Sequence, residues 1–164
     1  MSTKSLKPRT LCADRSLKKP SRTRPYQIPR LPREGRITGL VIDKYGEDLG
    51  NYCASHRDEA GTITIGDIDK ERFLTAVEDA VRHLHSLGYA HNDLNSRNIM
   101  VNEDRLPVLV DFEACRKIGE KLPYTRGTEG WVNPEDDLSV SDACHDRYGL
   151  AKVREWMDNP ETLL

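Results

Sequence analysis

A chain of 164 residues, 37% hydrophobic and 32% charged, has room for one domain, since ordinary domains run to about 100–150 residues. No apolar run approaches the ~20 residues needed to cross a bilayer, and no apolar core follows Lys4, Lys7 and Arg9 to form a secretory leader. The formal charge is −2, and the wide separation of the four cysteines, Cys12, Cys53, Cys115 and Cys144, argues against a disulfide framework or a close pair of metal ligands and fits reduced thiols in the cytoplasm or nucleus.

That small net charge hides an asymmetry. Residues 1–36 hold 11 Lys/Arg against Asp14 and Glu34, while the remainder holds 14 against 25 acidic residues. A segment rich in Lys, Arg, Ser and Pro buries too little apolar surface to offset its ordering entropy, so residues 1–25 are expected to be a disordered basic tail and residues 26–164 the folded domain. Such a tail is a candidate contact for a partner. A solvated tail is favoured over a nucleic-acid or acidic membrane contact, and four prolines by Pro29 argue against an amphipathic presequence.

The run Arg36–Tyr45, after the turn-forming Glu34-Gly35, has the β-branched character of a strand. Asp48 is placed to cap a short helix through Cys53. From Asp67 to Leu87 the apolar residues Phe73, Leu74, Val77, Val81, Leu84 and Leu87 recur at helical steps, and Gly88 supplies the stop. Ile99–Val101 and Val108–Val110 are short apolar runs joined by a polar turn, a pattern that predicts a hairpin. A last helix is predicted from His145 to Asp158, burying Tyr148, Leu150, Val153, Trp156 and Met157. Trp131 is assigned to the core, and His83 and His85 to structural roles on their helix.

Chemistry concentrates between His91 and Asp111. The loop His91-Asn-Asp-Leu-Asn-Ser-Arg-Asn98 sets a carboxylate, Asp93, five positions before a carboxamide, Asn98, and Asp111 follows the second apolar run. Oxygen donors of these types suit Mg²⁺, and a carboxylate can take the proton of an attacking hydroxyl, the parts that phosphoryl transfer requires.

On these residues the chain resembles the protein kinases. His91–Asn98 is similar to their catalytic loop, Val110-Asp111-Phe112 to their metal-binding segment, and Gly127–Glu135 to the end of their activation segment, in that order and at compatible spacing. The resemblance implies an α+β fold, the kinase large lobe, mainly helical with a small residual β-sheet. It implies Asp93 as catalytic base, Asn98 and Asp111 as Mg²⁺ ligands, and ATP as the nucleotide. Met100 would lie beneath the adenine, and Ile42, Asp43 and Tyr45 would belong to the hinge at its edge. His91, Glu135 and Asp146 would be structural supports, with Asp146 a buried aspartate anchoring the catalytic loop. A nucleotide and a protein substrate carrying a Ser/Thr hydroxyl are the implied partners.

The chain also departs from the family pattern. A Gly-rich loop, a strand lysine and a helix glutamate of the small lobe are not recognisable, so the domain is read as truncated, mainly the C-terminal lobe. Glu113 stands where the metal-binding segment usually has glycine, Asn92 where the catalytic loop has arginine, and Asn95 where a lysine is frequent. These departures keep two alternatives open: a pseudokinase acting as a binding module, and a small-molecule phosphotransferase of the aminoglycoside or choline kinase type, which shares an acidic pattern like Asp111-Phe-Glu113.

Overall fold

The computed structural model describes residues 44–123 and 127–160, nearly all within one compact unit, Tyr45–Leu164. The basic tail, most of the strand expected at Arg36–Tyr45, and the hinge residues Ile42 and Asp43 lie outside the described residues.

Described structure opens with β1, Glu47–Asp48, and runs directly into α1, Leu49–Ala54. Asp48 starts the helix as the sequence predicts, because its Oδ1 accepts the otherwise unpaired N–H of Asn51 at 3.0 Å. The helix turns Leu49, Tyr52 and Cys53 inward. Burial pushes the Cys53 thiol up to about 12, with Asp48 adding to the effect, so this cysteine behaves as a small core hydrophobe.

Helix α2, Lys70–Ser86, begins later than the apolar pattern alone suggests because Asp69, whose side chain accepts from Arg72 N–H at 3.1 Å, is the cap. Phe73, Leu74, Val77, Val81 and Leu84 form its buried stripe, and each such side chain stabilises the fold by roughly 1.5–3 kcal/mol. Leu87 does not join them. It occupies the C-cap, past the last full turn, and is 42% exposed. Gly88, at φ 81°, then takes the left-handed turn that ends the helix, its N–H reaching His85 O at 2.8 Å.

Two small antiparallel sheets follow. In one, β1, β3 (Ile99–Val101) and β4 (Pro107–Leu109) pair in the order β1-β3-β4, with Met100 opposite both Asp48 and Val108. In the other, β2 (Tyr89–Ala90) pairs with β5 (Arg116–Lys117). The β3–β4 hairpin is the one expected, closed by Asn102, whose Oδ1 accepts from Asp104 and Leu106 N–H at 2.9 Å each. Its second strand ends one residue early, at Leu109. Val110 still reaches Asn98 O through its N–H, but its carbonyl is engaged by His91 Nε2 at 3.0 Å.

Helix α3 spans Ala143–Trp156, earlier at both ends than expected, because Asp142 caps it by accepting Cys144 N–H at 2.7 Å. That bond holds the Asp142 carboxyl below its usual range. Val153, Trp156 and Met157 are buried as predicted, whereas Tyr148 and Leu150 are only half-buried. The remaining inward positions belong to His145, Asp146 and Gly149, which serve the loop beneath them rather than the apolar core. Trp131 packs against Trp156 with ring centroids 6.1 Å apart. No described helix is long and apolar enough to cross a membrane.

Candidate active site

A carboxylate with no solvent exposure, Asp146, organises the loop that follows β2. Its Oδ2 accepts the backbone N–H of His91 and its Oδ1 that of Asn92, both at 2.8 Å. His85 Nε2 lies 2.7 Å from Oδ2, so α2, α3 and the loop meet on one side chain. Three hydrogen-bonding partners satisfy a charge that would otherwise be costly to bury. The anchoring role implied for Asp146 therefore has a direct geometric counterpart, and the structural role given to His85 is this contact.

Asn92 holds a left-handed backbone at φ 65° and is almost fully buried. Asparagine tolerates that conformation better than most residues. Its Nδ2 lies 3.0 Å from Ala90 O, Ala114 O and Ser141 Oγ, and its Oδ1 lies 3.1 Å from His145 Nδ1. The residue that departs from the family arginine is thus a neutral hub joining the loop, the segment after Asp111 and α3.

This scaffold leaves Asp93 at the mouth of a cleft lined by Asn92, Asp93, Asp111, Glu113, Arg116 and Leu122, among others. Asp93 Oδ1 accepts from Asn95 Nδ2 at 3.1 Å and from both the backbone N–H and hydroxyl of Thr128 at 2.9 Å. Asp93 Oδ2 accepts from Asn98 Nδ2 at 3.0 Å. Asn98 Nδ2 also donates to the Asp93 carbonyl O at 2.8 Å, so two acceptors on one residue set the orientation of its amide.

Asp111 is exposed to the cleft and also left-handed, at φ 57°. Two contacts fix its position: Val110 N–H bonds Asn98 O at 3.0 Å, and the Phe112 ring sits 5.1 Å from that of His91. His91, fully buried, therefore supports the segment bearing Asp111 as well as its own loop. Glu113 takes no left-handed conformation, so the backbone makes no demand for glycine there. The cleft brings the carboxylates of Asp93, Asp111 and Glu113 to one lining, an oxygen-rich set that suits a hard divalent cation such as Mg²⁺.

The other expected residues are less closely gathered. Met100 is half-buried in the middle of the three-stranded sheet, two positions beyond Asn98, and Tyr45 is half-buried at the start of the unit. Glu135 is exposed, and its backbone N–H bonds Asn133 Oδ1 at 3.2 Å without an ion pair among the described residues. The sequence marks Asn95 only as a departure from the family's lysine and Thr128 only as part of the Gly127–Glu135 segment, and gives neither a contact with Asp93. Asn95 Nδ2 also reaches Thr128 Oγ1 at 3.0 Å, a link across 33 positions that local pattern does not reveal.

Comparison with known proteins identifies the family. The family profile described as the protein kinase domain matches residues 46–142. A probable SapB synthase of Streptomyces coelicolor is 39% identical over 88 residues, covering 54% of this chain and 9% of that protein. A probable LIM domain-containing serine/threonine-protein kinase of Dictyostelium discoideum is 33% identical over 132 residues, covering 67% of this chain and 20% of that protein. The kinase PK-1 of Cydia pomonella granulovirus has a similar fold, with a TM-score of 0.54 at 15% identity, covering 71% of this chain and 41% of that one. The chain belongs to the protein kinase domain family. It spans a fifth or less of the length of these two curated relatives.

Proposed function

We propose that this chain carries the catalytic part of a phosphoryl-transfer site that uses Mg·ATP and delivers phosphate to a Ser/Thr hydroxyl. The observation that carries the reading is the pairing of Asp93 with Asn98 beside Asp111. One carboxylate, Asp93, is held by oriented donors that include the Asn98 amide, and it lines the same cleft as Asp111.

In this reading Asp93 receives the acceptor hydroxyl's proton as that oxygen bonds to phosphorus and the bond to the nucleotide diphosphate breaks. Thr128 and Asn95 hold the carboxylate in one orientation while it does so. Asn98 Oδ1 and the Asp111 carboxylate would hold Mg²⁺, which supplies charge neutralisation at the phosphates when bound. Asp146 keeps the base in place through the backbone of the two preceding residues. The Ser/Thr assignment draws on the serine/threonine-protein kinase relative.

The test is nucleotide binding and phosphate transfer by the full chain with Mg·ATP. Asp111→Asn is expected to abolish Mg-dependent nucleotide binding, whereas Asp93→Asn is expected to keep binding and lose transfer by about 10²-fold or more. A peptide mixture assayed beside small amino alcohols separates protein from small-molecule acceptors. Absence of nucleotide binding by the unmodified chain would overturn the proposal.

A further inference from the structure

The segment preceding α3 and the first turn of that helix bring together a second group of potential ligands. Ligand atoms of Asp136, Cys144 and His145 all lie within 4.8 Å of one another. We propose that Asp136, Cys144 and His145 form a binding site for a tetrahedral transition-metal ion of the Zn²⁺ class, its fourth position filled by water.

Acidic side chains near a helix start would not by themselves make a site. Here the histidine adds an independent observation. His145 is buried, with 6% exposure, and its Nε2 has no hydrogen-bond partner. The other ring nitrogen is committed: Nδ1 lies 3.1 Å from Asn92 Oδ1. Asn92 cannot present a donor there, since its Nδ2 faces Ala90 O, Ala114 O and Ser141 Oγ. The neutral imidazole must therefore carry its proton on Nδ1, which leaves a lone pair on the buried Nε2, the tautomer a metal requires. A histidine ligand whose second nitrogen donates to a fixed acceptor is the usual arrangement around zinc.

The carboxylate is oriented in the same way. Asn133 Nδ2 donates to Asp136 Oδ1 at 2.9 Å. Sulfur, imidazole and carboxylate together favour a borderline-soft ion over Mg²⁺, which prefers oxygen alone. On binding, the metal replaces the Cys144 thiol proton, which is released to solvent. The site is separate from the Asp93–Asp111 cleft but shares Asn92 with it, so an ion here would brace the loop bearing Asp93.

Titration of the chelator-treated full chain with Co²⁺ as a spectroscopic substitute tests this. One equivalent is expected to produce a thiolate-to-metal charge-transfer band that Zn²⁺ then abolishes. Cys144→Ser should remove the band while Cys12→Ser leaves it intact. Asp136→Asn, a half-exposed position whose replacement keeps shape, should weaken binding by about tenfold or more with an unchanged circular dichroism spectrum. A band that is absent, survives Cys144→Ser, or is indifferent to Asp136→Asn overturns the proposal.

Discussion

The Asp146 carboxylate accepts the backbone N–H of His91 at 2.8 Å across 55 positions of sequence, fixing the loop that bears Asp93 to α3. Removing the acceptor by Asp146→Ala strands the N–H groups of His91 and Asn92 and leaves His85 without its partner. The expected cost is about 3–5 kcal/mol, the range for breaking a buried charged interaction by deleting one side. Urea denaturation measures it, and a loss below about 1 kcal/mol would mean the loop is held elsewhere.

Gly149 is where α3 touches that loop most closely. A Cβ built there would stand 2.7 Å from Leu94 O and 2.9 Å from Leu94 Cβ. Gly149→Ala gains about 1 kcal/mol of helix propensity but incurs overpacking of ~1–3 kcal/mol against backbone that cannot swing aside. Net destabilisation is the expected outcome of thermal or urea unfolding, and an equally stable variant would show that α3 can slide from the loop.

Thr128 donates to Asp93 through both backbone and hydroxyl. Thr128→Val removes the hydroxyl and keeps the shape and the N–H. On the proposed function it should lower phosphate transfer by about tenfold, the value of one hydrogen bond, while Mg·ATP affinity stays the same. A fall in affinity instead would place Thr128 in nucleotide binding.

At the surface, Asp67 bonds Arg105 at 2.7 Å and also accepts from the Tyr52 hydroxyl. The Arg105 bond, then the Tyr52 bond, lowers its carboxyl to about 2. The folded value lies below the unfolded one, about 3.9, so the stabilisation is complete above that value and is lost as pH falls toward 2. Acid unfolding of the chain and of Asp67→Asn should therefore converge at the acid end and diverge above about pH 4. Parallel curves over the whole range would rule out this linkage.

The elements were legible where the signal was local. Asp48 as a cap, the apolar stripe of α2, and the Asn102 turn each depend on residues within a few positions. Order and spacing along the chain, through family resemblance, singled out His91, Asp146 and Asp111, and the fold brings His91 against both the Asp146 carboxylate and the segment bearing Asp111. What escaped were features made by chain crossings: Asn92 with Ser141 across 49 positions, Asp93 with Thr128 across 35, and His85 with Asp146 across 61. Leu87 fits the helical stripe by number but falls beyond the last turn, where periodicity has no meaning. Cysteine spacing likewise gave no hint of the Cys144 cluster, because its other members are a histidine next door and an aspartate on a separate segment.

Asn92 has a further consequence for control. Each polar atom of its side chain is already engaged inside the fold, and it carries no charge. A phosphate added to a neighbouring segment would find no cation to grip at this position. The residue beside Asp93 thus works as a rivet, joining its loop to the segment after Asp111 and to the start of α3 as the chain folds.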